Sequence, residues 1–414
     1  MKILLVNKYF FRRGGSEASF FEEADLLEKK GHKVVHFAMA HPRNIHSPYS
    51  SYFVSEVKFE EEASWPQKAK AGGRMLFSWQ ARQRLAALIK AEKPDVAHLH
   101  NIYHHISPSI LPVLKKAKIP VVLTFHDYKF LCPVYTLYRG GRICEECRSG
   151  RFIHCLQHKC SKNSYLKSAL NTLEMYLHHS VFRIYDLVDC YICPSLNLKN
   201  KMADRIDAHK LFLLANFIAE IPPISPFPVG RRTIVYFGRL SLEKGLSTLL
   251  KALTGLDVRC LIIGEGPERP ALEKSIKEQG LHGVICLGYL PAKELPLYIR
   301  QAAFTILPSE WYENSPRAVL ESFALGRAVV ASRIGGLPEL VIDNETGLTF
   351  EAGNTLDLRE KILQLLHDPQ KAEEMGRRAR RFVQDQLGPE GHYDSLMKIY
   401  ETARTSAGLP RLRS

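Results

Sequence analysis

The sequence lacks any run of about 18 or more uncharged apolar residues, the length a helix needs to cross a bilayer. It also lacks a secretory leader. The apolar stretch of "MKILLVNKYFFRRGGSE" is short, and Arg12 and Arg13 follow it at once. A cytosolic protein is therefore expected. No repeat of solenoid length occurs, which sets repeat architectures aside. Acidic residues are outnumbered, with 43 Asp and Glu against 57 Lys and Arg, for a formal charge of +14. That balance concerns partners rather than fold, and suits nucleic acid, an anionic membrane face or phosphorylated small molecules. Nine cysteines in a cytosolic chain argue against a disulfide framework.

What is present is ordinary for a globular protein: 45% hydrophobic and 24% charged residues over 414 positions, enough for two domains with separate cores. In the first half, "KILLVN", "HKVVHFAM", "PDVAHLH", "PVVLTFHD" and "DCYICPS" read as buried strands. A glycine turn follows the first of them, then a helix from about Ser16 to Lys30 with Ser16 as its cap. The second half repeats the style with "TIVYFGRL", "VRCLIIGEGP", "VICLGYLP", "FTILPS" and "AVVASRIGG", and "EKGLSTLLKAL" is helical. Strands alternating with helices imply mostly parallel sheets covered on both faces, an α/β fold of two doubly wound domains. The expected boundaries are 1–215 for the first domain and 216–230 for a linker stiffened by Pro222, Pro223, Pro226 and Pro228. A second domain, 231–388, precedes a closing helix, 389–405. On that helix Tyr393, Leu396, Met397 and Tyr400 make one apolar stripe, expected to pack back on the first domain. Four of the cysteines, Cys190, Cys193, Cys260 and Cys286, lie in apolar runs and read as buried small hydrophobes.

Ligands of such sheets bind outside the carboxyl ends of the strands, so the loops there carry the chemistry. After "TIVYFG" comes "GRLSLEKG": Gly238 permits a sharp turn, and Arg239 and Lys244 stand near the next helix start, where N–H groups already favour an anion. Two cations there suit a diphosphate. "GEGPE" places Gly264 and Gly266 at the same edge, where a nucleotide could approach the backbone. In "SEWYENSPRAVLESFALG", Glu313 lies in the loop feeding a helix and Glu321 on that helix, eight residues on. Both carboxylates can accept hydrogen bonds from sugar hydroxyls; as surface residues they would only complement the helix dipole.

"GRLSLEKG", "GEGP", the Glu-x7-Glu pair and "GGLPELVIDNETGLTF" together resemble a family 4 glycosyltransferase of the GT-B fold, the retaining, nucleotide-sugar-dependent group. The likeness extends along essentially the whole chain. It implies that Arg239 and Lys244 hold the donor pyrophosphate, that Glu313 contacts the donor sugar and that Glu321 contacts the ribose. Ser322 after Glu321 departs from the more usual Ala. "RRGGSE" resembles the family's loop facing the donor phosphates and the acceptor, with Gly14 and Gly15 before a helix start, and "TFHD" places His126 close to the transferred sugar. The reaction implied is transfer with retention from a UDP- or GDP-sugar to a hydroxyl of a glycan or lipid-linked acceptor. The setting implied is cell-surface polysaccharide or glycolipid synthesis. No Asp-x-Asp triplet occurs, and Arg239 and Lys244 can take the place of a divalent ion, so metal-independent transfer with no cofactor is expected.

The segment 132–167 is an insert in the first domain. Its Cys144, Cys147, Cys155 and Cys160 follow C-x2-C-x7-C-x4-C, with His154 and His158 inside and Cys132 upstream. A structural zinc ion on the four cysteines is the leading reading; reduced thiols, a redox pair and a catalytic thiol are its rivals. Arg139 to Lys167 carries seven Lys and Arg against Glu145 and Glu146. Residues 74–90 and 165–185 mix apolar and basic side chains, so peripheral contact with an anionic membrane stands beside plain packing of amphipathic helices. A nucleic-acid-binding zinc protein and a phosphorylase or epimerase on the same fold remain as alternatives, although no nucleic-acid partner is expected.

Overall fold

Residues 3–6 and 121–123 are apolar at every position instead of alternating, the pattern of strands covered on both faces. The computed structural model describes residues 1–56, 65–223, 226–228, 230 and 232–410. Its first sheet is built from β1 (Lys2–Val6), β2 (Lys33–Phe37), β3 (Val96–Leu99) and β4 (Val121–Thr124). A two-stranded antiparallel ribbon, β5 (Tyr138–Arg139) with β6 (Arg142–Ile143), intervenes before β7 (Cys190–Cys193) and β8 (Leu211–Leu213) complete the sheet. The six strands lie in the order β2-β1-β3-β4-β7-β8, all pairs parallel. The second sheet holds β9 (Thr233–Phe237), β10 (Arg259–Ile263), β11 (Val284–Gly288), β12 (Phe304–Leu307), β13 (Val329–Ser332) and β14 (Gly347–Phe350). Its order is β11-β10-β9-β12-β13-β14, again all parallel.

Each order reverses once, between β1 and β3 in the first sheet and between β9 and β12 in the second. At a reversal the following helices go to opposite faces and leave a crevice at the carboxyl ends. Those ends carry residues 7–15 and 100–107 on one side and 238–245 and 308–316 on the other.

The chain crosses between the units twice. From 214 to 232 it is not a bare spacer: Phe217 and Ile218 are buried, and Ile218 belongs to the second core. The Pro222 and Pro226 carbonyls accept hydrogen bonds from Arg380 and Arg327. The helix Pro389–Ser406 then returns to the first core, where Leu396, Ile399, Tyr400 and Ala403 are buried and Tyr393 and Met397 pack alongside.

Three local expectations change. The first helix spans Gly15–Lys29 with Gly14 in the cap position, so Ser16 lies inside the first turn and no side chain caps it. Residues 74–90 are two helices, because Ser78 caps Trp79–Glu92 by accepting from Ala81 N and so ends the preceding one at Leu76. Cys190, Cys193 and Cys260 are buried, but Cys286 is only half-buried because β11 is an edge strand.

Candidate active site

Backbone crowding shapes the rim of the second sheet. A Cβ on Gly264 would overlap the Gly238 carbonyl oxygen, and one on Gly266 the Leu240 carbonyl oxygen. Only glycine lets these two loops lie against each other, with Leu240 N donating to Glu265 O at 3.0 Å. The 238 loop then runs through a 3-10 turn, Leu242–Lys244, into the helix Leu246–Leu253. Lys244 Nζ stands 2.6 Å from Glu313 Oε1 and 4.9 Å from the centre of the Trp311 ring. Ser309 Oγ donates to the same Glu313 oxygen at 2.6 Å. Glu313 is 5% exposed. Burial alone would push its carboxyl up, but the Lys244 ammonium and the Ser309 hydrogen bond hold it below the ordinary carboxylate range. Arg239, on the same loop, is exposed, and among the described residues its guanidinium pairs with no carboxylate. One cation is thus held in a buried pair and the other is available, both beside helix starts, an arrangement able to receive a diphosphate.

Glu321 lies on the helix Arg317–Ala324, whose cap position is Pro316, and Glu313 precedes it in the loop. The Glu321 carboxylate meets Arg317 Nε at 3.3 Å. Burial pushes its carboxyl up, partly offset by Arg317.

Across the crevice, His126 follows β4. Its Nε2 is 2.9 Å from His100 Nδ1, and the two rings stack with centroids 5.2 Å apart. His100 Nε2 lies 3.5 Å from Glu23 Oε1, and that oxygen is 2.8 Å from His98 Nδ1. His98 also reaches Tyr400 Oη at 2.8 Å and Thr124 Oγ1 at 2.7 Å, while His392 approaches the other Glu23 oxygen at 3.6 Å. A chain of imidazoles on one buried carboxylate therefore runs from His126 to the closing helix. Burial dominates for His36, His100, His126, His178 and His179, and holds each below the usual imidazole value, His36 at about 4.

The sign for stability follows. Between the ordinary imidazole value near 6.5 and the depressed native values the unfolded chain binds more protons, so stability falls as pH drops through that window. The urea midpoint should be lower at pH 5 than at pH 7.5; an equal or higher midpoint at pH 5 would overturn this.

Direct contacts join the two rims. Asn314 Nδ2 donates to the His126 carbonyl at 3.1 Å, next in sequence to Glu313. Arg317 makes a forked pair with Glu22 at 2.8 and 2.7 Å, and a Cβ on Gly15 would meet Arg317 Cγ at 3.5 Å. Gly14 is extended, so the helix start at Gly15 is left open by absence of side chains rather than by unusual backbone. Glu339 accepts from the N–H groups of Leu196 and Asn197 at 2.7 and 2.8 Å. The residues singled out from sequence thus gather on facing rims: Gly14, Gly15 and His126 on one, Gly238, Arg239, Lys244, Gly264, Gly266, Glu313 and Glu321 on the other. Ser309, Asn314, the Arg317–Glu22 pair and the Glu23 cluster escaped sequence reasoning. Asn314 and Arg317 sat inside the quoted "ENSPR"; Glu23 and the "HLH" at 98–100 gave no sign of being partners.

The cysteine insert stands apart from these groups but touches the loop 308–316. Tyr138 Oη donates to Glu310 at 3.2 Å, and Glu145 lies beside Tyr312, whose ring carries Lys201 Nζ at 3.8 Å from its centre. Cys144, Cys147, Cys155 and Cys160 line one small cavity together with Cys132.

Residues 217–382 match the family model described as glycosyl transferases group 1, and residues 13–219 match that of glycosyltransferase family 4. A sulfoquinovosyl transferase of Arabidopsis thaliana is 33% identical over 310 residues, 72% of this chain and 54% of that protein. An alpha-D-kanosaminyltransferase of Streptomyces kanamyceticus is 30% identical over 176 residues, 41% of this chain and 45% of that one. The chain spans about half the length of these curated relatives. Among solved structures, a sucrose-phosphate synthase from Thermosynechococcus elongatus superposes with a TM-score of 0.72 at 18% identity, covering 98% of this chain and 99% of that one. An Anabaena protein, HepE, solved with UDP and glucose, gives 0.66 at 16% identity over 96% and 98%.

Proposed function

Since the chain belongs to glycosyltransferase family 4 and has the GT-B fold, we propose that it moves a sugar, with retention, from a UDP- or GDP-sugar to a glycan or lipid-linked hydroxyl. The observation carrying this reading is the Asn314–His126 bond. It brings the loop of the Lys244–Glu313 pair on one rim against the strand end that carries the half-buried His126 on the other.

In this reading Arg239 and Lys244 bind the diphosphate, Glu313 takes hydroxyls of the donor sugar and Glu321 those of the ribose. The glycosidic C1–O bond breaks with its electron pair leaving on the phosphate, where the two cations stabilise the developing charge. The acceptor oxygen bonds C1 from the same face and passes its proton to the departing phosphate oxygen. His126, held neutral by burial, offers a hydrogen bond to the sugar without adding a positive charge beside a cationic transition state. Its orientation is set by His100.

The acceptor side belongs to the first domain. No described helix is long and apolar enough to cross a membrane. The first domain does expose Trp79, Tyr165, Leu166, Val181 and Phe182, with Arg82 stacked on Phe77 and Trp79. Aromatic and aliphatic groups beside a cation suit the surface of an anionic bilayer, where a lipid-linked acceptor would lie. A role in cell-surface polysaccharide or glycolipid synthesis fits that surface.

The test is nucleotide release from a panel of UDP- and GDP-sugars, with and without EDTA, using free glycans and lipid-linked acceptors in anionic vesicles. One donor should turn over at least tenfold faster with acceptor present, and EDTA should leave the rate unchanged. Loss of turnover with EDTA and recovery with Mg²⁺ would refute metal independence. Release of phosphate from a sugar 1-phosphate, or donor epimerisation without acceptor, would favour the phosphorylase or epimerase alternative.

A further inference from the structure

The insert between β4 and β7 has almost no hydrophobic core of its own. Its satellite cluster consists of Cys147, Phe152, Cys155 and Met175, so two of the four buried members are cysteines. Regular structure in its cysteine-bearing part amounts to the β5–β6 ribbon and the five-residue helix Ile153–Gln157, with Met175 supplied by the following helix, Tyr165–Tyr176. The backbone is nevertheless forced through left-handed conformations at Tyr135, Leu137, Lys159, Lys162 and Asn163, none of them glycine. A segment so poor in apolar burial and so rich in strained turns needs another source of order.

The thiols offer it. All nine cysteines are unpaired, and five of them face the one small cavity. They are not equivalent. The Cys132 sulfur accepts hydrogen bonds from the backbone N–H groups of Leu137, Val134 and Thr136, and the Cys147 sulfur accepts one from Cys155. Cys155 and Cys160 hydrogen-bond to each other. Cys132, Cys147, Cys155 and Cys160 are mutual neighbours around the cavity. Cys144 belongs to the rim, where the Arg139 guanidinium contacts it. Cys132, Cys147 and Cys155 are buried in the cavity wall and Cys160 packs against the same cluster, so four soft ligands surround one small space, the donor set a tetrahedral cation takes.

We propose that Cys132, Cys147, Cys155 and Cys160 bind one thiophilic d10 divalent cation of the zinc class, which folds the insert, with Cys144 outside the ligand set. Sequence spacing nominated Cys144; burial favours Cys132 in its place, since Cys132 is buried while Cys144 is half-exposed and outside the apolar cluster. Among the described residues, the ligand trios already within 4.8 Å are Glu23–His98–His100 and Glu146–His154–His158. The sulfurs thus stand wider than a bound tetrahedron and must draw in around the cation. The buried histidine trio has other partners, His98 being held by Tyr400 and Thr124, and the second trio is a surface cluster in which His158 pairs with Glu146 at 2.7 Å.

The experiment measures metal by mass spectrometry on the purified full chain, wild type against Cys132→Ser, Cys155→Ser, Cys144→Ser and His158→Ala. About one zinc per chain is expected in wild type, Cys144→Ser and His158→Ala, and less than about a fifth of that in the other two. The wild-type chain provides a second reading should the serine variants fail to fold. A thiol-blocking mercurial should release that zinc into a colorimetric chelator and lower the melting temperature. Metal-free wild type overturns the proposal. So does zinc that survives Cys132→Ser but is lost from Cys144→Ser or His158→Ala, a Cys155–Cys160 disulfide in the native protein, or iron with acid-labile sulfide in place of zinc.

Discussion

Glu313→Gln is expected to lower turnover by roughly 10²–10³-fold, the usual loss when one preorganised electrostatic group is removed from a transition-state site. The substitution keeps the side chain's volume, and the amide oxygen can still accept from Ser309, so no buried acceptor is orphaned. What disappears is the negative charge 2.6 Å from Lys244. In the resting enzyme that charge holds the ammonium in place; in the proposed reaction it grips the donor sugar as C1 becomes positive. Donor affinity should change little, because Lys244 and Arg239 still meet the diphosphate, so the loss should fall on kcat. Glu313→Ala should go further and abolish transfer, its circular dichroism remaining native. Turnover of the glutamine variant within about threefold of wild type would remove Glu313 from the site, since no charge-dependent role of the size expected here could survive it.

The second large effect separates two cations given one task. Arg239→Ala and Lys244→Met should each weaken donor binding and slow transfer by about 10²-fold or more. Their stabilities should diverge. Arg239 is exposed, so its removal should change stability by less than about 0.5 kcal/mol. Lys244→Met leaves the Glu313 carboxylate buried without its cation, a change that costs about 3–5 kcal/mol in comparable buried pairs.

The pH dependence should also invert. In wild type Glu313 is held below the ordinary carboxylate value, so its stabilisation is present above that value and lost as pH falls through the native one. Without Lys244, burial dominates and raises it. The unfolded chain then releases the proton first, and the variant loses stability as pH rises. The melting-temperature gap between wild type and Lys244→Met should therefore be wider at pH 8 than at pH 5.5, and taking the difference cancels the histidine contribution. A gap that narrows toward pH 8 would contradict the pairing.

The two sheets and the rim loops were legible in the sequence because parallel strands buried on both faces read as continuous apolar runs. The glycine loops after "TIVYFG" and "CLII" mark close backbone approaches that no other residue tolerates. Shorter edge elements were not legible. β8 is three residues long and passes from a buried Leu211 to an exposed Leu213, so it is too short for its pattern to separate it from a loop. The cap of the first helix misled for a different reason. Ser16 has the favoured chemistry, but Gly14 and Gly15 let the helix begin a residue earlier at no steric cost. The histidine cluster was hidden because its members come from 23, 98, 100, 126 and 392; Glu23 gathers His98 and His100 within the first domain, and His392 joins only once the closing helix has crossed back.

That double crossing has a mechanical meaning. Two covalent straps, one near residues 214–232 and one entering the helix at Pro389, tie the two halves together on one side of the crevice. Rotation about the line joining the straps stretches neither, whereas any twist across that line pulls on both. Any opening of the crevice about that line would have to release the Arg317–Glu22 and Asn314–His126 contacts, which therefore serve as its clasp.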